Sequence, residues 1–148
     1  MATTYNFTNG SISGAMYPAE TTLHENEIVV RRNIVDFSIQ SLDAGEADVA
    51  QVLKIPAKTT VLRAGIRVIT AETANGTVDL GYGGDVDEWG DGVSLATADA
   101  VVGMLDSPVY FASADTIDIV ATTDGADVDI DGAKIEVFAL MYKHVDSN

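Results

Sequence analysis

The sequence predicts an all-β fold: an antiparallel β-sandwich, jelly-roll-like, carrying an extended N-terminal arm. Three observations predict it. From roughly Ile34 to Tyr142 apolar and polar residues alternate, as in Val35-Asp36-Phe37-Ser38-Ile39 and Ile117-Asp118-Ile119, and a strand sends successive side chains to opposite faces. Gly- and Asp-rich turns cut this pattern into about eight or nine short runs, leaving no long stretch for a helix. The alternation is one-sided, which suits two sheets that each give one face to a shared core.

The elements follow in order. Residues 1–26 sustain no period and are punctuated by Asn9-Gly10, Ser13-Gly14 and Pro18, so they read as an arm rather than a layer. The arm is either a disordered terminus or, because it carries Tyr5, Phe7, Met16 and Tyr17, a segment anchored on a neighbouring subunit. The sandwich domain spans 27–148. Its first strands run from Ile28 to Arg32 and Ile34 to Gln40, then Val49 to Ile55, with turns at Asp43-Ala44-Gly45-Glu46 and Pro56-Ala57-Lys58. Thr59 to Thr70 is the longest run, with Leu62, Ala64, Ile66 and Val68 inward, and Gly65 marks a bulge or bend. Asn75-Gly76 is the strongest hairpin signal and predicts a direct turn into Thr77–Tyr82. Residues 83–92 read as a loop, and 94–104 as a loop or helical turn. Short strands follow at Pro108–Phe111, Asp115–Thr122 and Asp127–Asp131. The last strand, Lys134–Tyr142, is apolar on both faces from Val137 onward, which makes it central in its sheet or sets one face against another subunit. The inward set comprises Val35, Phe37, Ile39, Leu62, Ile66, Val68, Leu80, Ile117, Ile119 and Val137.

At 148 residues, 47% of them hydrophobic, the chain is one domain and buries a sizeable core without staples. It has no cysteine, hence no disulfide framework and no thiolate ligand or nucleophile. The first residues lack the basic start and apolar core of a signal peptide, and no apolar run approaches the ~20 residues of a membrane span. Twenty-three acidic residues against eight Lys and Arg give a formal charge of −15. Such a chain repels phosphate backbones and anionic lipid, so nucleic acid and membrane are excluded as partners. The charge serves solubility, or a basic docking surface on a partner.

Few residues suggest chemistry. Asp85, Asp87, Glu88 and Asp91 crowd into seven positions, and oxygen clusters bind calcium. The calcium-hand spacing and its flanking helices are missing, however, and a solvated turn weighs more. Asp127, Asp129 and Asp131 share one strand face with Asp124 across the turn; they are the wet face of an edge strand or a contact for a basic partner. Trp89 plugs one end of the sandwich or anchors an interface, and the plug is favoured. His24 and His144 stand at opposite ends without metal-ligand spacing. There is no Gly-x-Ser-x-Gly elbow and no phosphate loop before a helix. Carboxylate pairs are too common here to indicate a glycosidase. No catalytic, cofactor-binding or metal residue is assigned, and the protein is expected to be non-enzymatic.

A set of turn-and-strand phrases over residues 48–142 resembles small virion proteins of marine and freshwater tailed bacteriophages. They are Leu53-Lys54-Ile55-Pro56-Ala57-Lys58-Thr59, Val61-Leu62-Arg63-Ala64-Gly65-Ile66, Thr77 to Asp85, the acidic Trp stretch, Ala114 to Ile119, and Ala133 to Leu140. They are similar to head decoration, or cement, proteins. The resemblance implies a structural role on the capsid exterior, in which a homotrimer made in the host cytoplasm binds the major capsid protein and stabilises contacts between capsomers. It implies no catalytic residues and no cofactor. The alternative is a fibre or tail-associated β module that binds a receptor or glycan.

Overall fold

The computed structural model describes residues 1–6, 28–73, 75–103, 107–122 and 129–144. Ten strands form two stacked sheets: β1 (Thr4–Asn6), β2 (Ile28–Asp36), β3 (Val49–Ile55), β4 (Thr59–Thr70), β5 (Thr77–Tyr82), β6 (Asp85–Ser94), β7 (Val101–Gly103), β8 (Val109–Phe111), β9 (Asp115–Thr122) and β10 (Lys134–Lys143). The first sheet runs β1-β3-β9-β5-β6, and the second β2-β10-β4-β7, with β8 also pairing to β4. From β1 to β5 successive strands alternate between the sheets, β5–β6 and β7–β8 each stay within one, and each late strand, β9 or β10, inserts between two early ones. This is the double Greek-key path of a jelly roll. No helix occurs among the described residues.

Eight of the ten residues expected inside are buried: Val35, Phe37, Ile66, Val68, Leu80, Ile117, Ile119 and Val137. The other two expectations are corrected. Ile39 is 49% exposed, because the strand ends at Asp36, whose carboxylate accepts hydrogen bonds from the backbone and hydroxyl of Ser38. That local turn rotates the chain before the alternation reaches Ile39. Leu62 is half-buried, because β10 pairs Leu140 with Arg63 and Met141 with Val61, skipping Leu62. A bulge of this kind reverses the facing of everything beyond it, so Val61 takes the core position.

Three further expectations change. Asn75-Gly76 is no hairpin, since β4 and β5 belong to different sheets. A Cβ on Gly76 would lie 2.4 Å from Ile130 Cδ1, so glycine is there for close approach rather than for turn chemistry. Residues 83–92 are not a loop: only Gly83-Gly84 turn, between the paired Tyr82 and Asp85, and β6 follows. Of the strand expected over Asp127–Asp131, the described residues 129–131 carry one bridge, between Ile130 and Leu42, and Asp124 and Asp127 lie outside the described residues.

Polar side chains close the gaps between layers. Where the first and second sheets meet along β2 and β3, Asn33 Nδ2 donates to the Val52 carbonyl (2.9 Å) and Arg31 to that of Lys54 (3.3 Å). The buried Glu72 bridges the 71–76 crossover to the start of β10, with Oε2 accepting from the N–H groups of Asp131, Gly132 and Ala133 at 3.0–3.1 Å. The first residues of the chain are held similarly. Strand β1 pairs in parallel with β3, Thr4 opposite Val49, and the buried Asp48 accepts from Thr3 N (2.7 Å) and Asp43 N (3.1 Å). Residues 4–6 of the expected arm are thus a fifth strand of the first sheet, and Tyr5 packs against its own core. Phe7, Met16 and Tyr17 lie outside the described residues.

Candidate functional site

The strand alternation gives the molecule two unlike outer faces. On the first sheet, β5 and β9 turn Asp79, Asp118 and Val120 outward, and the β5–β6 hairpin adds Asp85, Asp87 and Asp91. A shallow concavity of about 690 Å³ opens here, between Asp79, Asp91, Val86, Val120 and the pair Thr77 and Thr122. Its groups are engaged with one another: Asp79 Oδ1 accepts from Gly92 N at 2.8 Å, and the two threonine hydroxyls are 2.9 Å apart. Burial, set against the Gly92 N–H, and then the charges of Asp91 and Asp87 push the Asp79 carboxyl upward. Asp87 is raised by its hydrogen bond to Asp85, then by desolvation and by the charge of Asp85.

Asp118 is the most deeply buried acid on this face. It is 6% exposed, and its ladder partner on β5 is Gly81, over which the β6 backbone arches. A Cβ on Gly81 would lie 2.1 Å from the Asp85 carbonyl oxygen. Burial pushes the Asp118 carboxyl up to about 6, against the Thr116 hydroxyl bond (2.6 Å) and with the help of Asp115.

The four acids weighed as a calcium cluster, against the favoured solvated turn, do not converge. Asp85 and Asp87 sit at the exposed hairpin end, Glu88 accepts a hydrogen bond from the Ser107 hydroxyl, and Asp91 lies beyond Trp89 in the edge strand. No group of three His, Cys, Asp or Glu among the described residues is placed to hold an ion. Asp129 and Asp131 are both exposed and flank the buried Ile130. Trp89 is buried in the core: its Nε1 donates to the Ser107 carbonyl at 2.9 Å, its ring lies 5.9 Å from that of Tyr82, and Phe111 meets Tyr82 edge-on at 5.0 Å. It is a plug, as favoured, rather than an exposed anchor. His24 lies outside the described residues. His144 pairs with the Thr60 hydroxyl at 2.7 Å, with Tyr110 and Tyr142 edge-on to its ring.

The second sheet faces outward differently. Residues directly opposite in an antiparallel ladder share a face. The ladders set Tyr142 beside Ile28 and Thr60, Leu140 beside Val30 and Arg63, Phe138 beside Arg32, and Glu136 beside Arg67. Ile28 and Val30 are each 62% exposed, and Tyr110 is 56% exposed. Arg32 pairs with Glu136 (3.6 Å), Arg67 with Asp99 (3.7 Å) and Lys134 with Asp36 (3.2 Å). Among the described residues, four of the eight cationic ones therefore stand on this face, against three acids, in a chain of net charge −15. The apolar outer side of β10 was legible in the sequence. The matching Ile28 and Val30 were not singled out, because assigning them a face requires knowing that β2 is the neighbour of β10.

The two stacked sheets and their strand order define the chain as a jelly-roll β-sandwich with an added N-terminal edge strand. In structure, the chain is similar to one from the capsid of Ralstonia phage GP4, with a TM-score of 0.67 and 14% identity, covering 99% of this chain and 100% of that one. It is also similar to a chain of the cyanophage Pam1 capsid asymmetric unit, with a TM-score of 0.57 and 17% identity, covering 87% and 94%. No protein-family model matches the chain, and no curated protein matches it in sequence.

Proposed function

We propose that the chain is a non-enzymatic structural component of a phage virion, a decoration or cement protein on the capsid exterior. The observation that carries this reading is the end-to-end likeness to a chain from a phage capsid, at a TM-score of 0.67 over 99% of this chain. The physical properties favour it. A β-sandwich of net charge −15 stays soluble at high copy number and does not capture the genome. A module bridging several shell subunits gains avidity from individually weak contacts. The proposed partner is the major capsid protein, the proposed assembly a homotrimer, and the proposed contacts one sheet surface and the arm. Residues 7–26 extend up to roughly 65–70 Å when stretched.

The test is co-sedimentation with undecorated heads, beside light scattering of the free protein. A variant in which residues 7–26 are replaced by a Gly/Ser segment of equal length retains β1, and it is expected to fold as the wild type does but bind heads less tightly. Unchanged binding removes the arm from the mechanism. A native protein that never associates with heads overturns the decoration reading and favours the fibre or tail module.

A further inference from the structure

Resting on that reading, we infer that the protein docks on its shell through the outer face of the second sheet: the apolar patch of Ile28, Val30, Leu140 and Tyr110, rimmed by Arg32 and Arg63. The surface it meets is an apolar patch on the shell protein ringed by carboxylates.

Charge distribution selects this face over the other. The outer face of the first sheet holds Asp79, Asp85, Asp87 and Asp91, so docking it on another protein would bring a concentrated negative field against the partner. On the second sheet, among the described residues, four cations meet three acids. It is the surface on which a protein of net charge −15 approaches an acidic partner without repulsion, and like-charge contact is what most strongly suppresses association.

Composition agrees. Interface centres are enriched in aromatic residues and arginine and depleted of lysine and acids. The row Tyr142, Leu140, Phe138 on β10 and the row Ile28, Val30 on β2 form one apolar end of the sheet, because the β2–β10 register sets Leu140 against Val30 and Tyr142 against Ile28. The ion pairs of Asp36, Glu136 and Asp99 occupy the other end. An exposed apolar area rimmed by polar residues marks an interaction site.

The experiment measures head binding by co-sedimentation at two salt concentrations. It compares wild type, Val30→Glu, the milder Val30→Thr, and Val86→Glu on the opposite face, each checked by circular dichroism melting. The wild type is expected to bind less tightly at high salt. Val30→Glu should bind at least tenfold more weakly, Val30→Thr severalfold more weakly, and Val86→Glu as the wild type does. Folded Val30→Glu and Val30→Thr proteins that bind within twofold of the wild type overturn this assignment while leaving the decoration reading standing. Absence of head binding by the wild type overturns both. Dissociation of the free protein's oligomer by Val30→Glu, read by light scattering, overturns the shell contact in favour of an interface between copies.

Discussion

Two buried carboxylates, Glu72 and Asp118, answer pH in opposite directions. For Glu72, burial alone raises the carboxyl, but the N–H groups of Gly132, Thr73, Ala133 and Asp131 together outweigh it and hold it below its usual value of 4.5. A depressed native value contributes stability that is fully present above the unfolded value of 4.5 and lost as pH falls from there through the lowered native one. Glu72→Ala takes the acceptor from four N–H groups, that of Ala133 buried and the others part-buried, and is expected to cost about 3–5 kcal/mol in urea unfolding; Glu72→Gln, which keeps one acceptor, should cost less. Asp118 is raised from 3.8 to about 6, so the native state binds its proton more tightly than the unfolded chain does. Its burial is a penalty above pH 6 that is relieved as pH falls from about 6 to 4. Asp118→Asn is therefore expected to raise stability at pH 7.5 by about 1–2 kcal/mol, partly screened by solvent, and to change little at pH 4. Neither role was visible in the sequence. A single Glu between a strand and an Asn-Gly turn looks like solvent-facing punctuation until three distant N–H groups are folded onto it.

The elements explain what was readable. Val49–Ile55, Thr59–Thr70, Thr77–Tyr82 and Asp115–Thr122 were placed with their observed limits, because a Pro, Gly or Asp turn stands at their ends and their apolar residues alternate. Strand β6 was missed because edge strands shed that signal: its outer positions are Asp85, Asp87 and Asp91, and its ladder with β5 is interrupted by two register shifts. At one of them Gly92 adopts φ +55° and gives its N–H to Asp79. Trp89 was the one clue. Trp89→Ala is expected to cost about 3–5 kcal/mol by thermal melting, since it empties a core position beside Tyr82 and orphans the Ser107 carbonyl. Strand β1 carried no signal at all, as three residues of Thr-Tyr-Asn are too few to show a period. Its attachment depends on Asp48, so Asp48→Ala should speed hydrogen exchange at Val49, whose N–H bonds Thr3, and leave exchange in β9 and β10 near wild type.

At the scale of the whole molecule, the surplus of acids acts as self-repulsion. Excess like charge destabilises a compact state, and salt screens it over about 10 Å at 0.1 M. The melting temperature is therefore expected to rise by several degrees between 10 mM and 300 mM NaCl, measured by calorimetry, before any specific ion effect enters. A fall over that range would mean that the pairs on the second sheet outweigh the general repulsion. The same asymmetry separates what the chain shows of itself from what it shows of its partner. Net charge is read directly from composition, but its division into an acidic and a nearly balanced face depends on which strands become neighbours, and no local pattern records that.

The strand order also governs when the protein comes into being during synthesis. Both sheets are completed from the middle by the strands made last: β9 lies between β3 and β5, and β10 between β2 and β4. While the ribosome is still translating, β2 and β4 have no neighbour to join them, and neither do β3 and β5. At roughly 5–20 residues per second the nascent chain spends seconds with its apolar strand faces unmatched, and folding waits until about residue 143 has cleared the exit tunnel. A jelly roll of this order is thus completed only once β10 is available to join β2 to β4, and not from its N-terminus outward. A chain arrested before Lys134 should remain protease-sensitive throughout, whatever length of the sandwich it already contains.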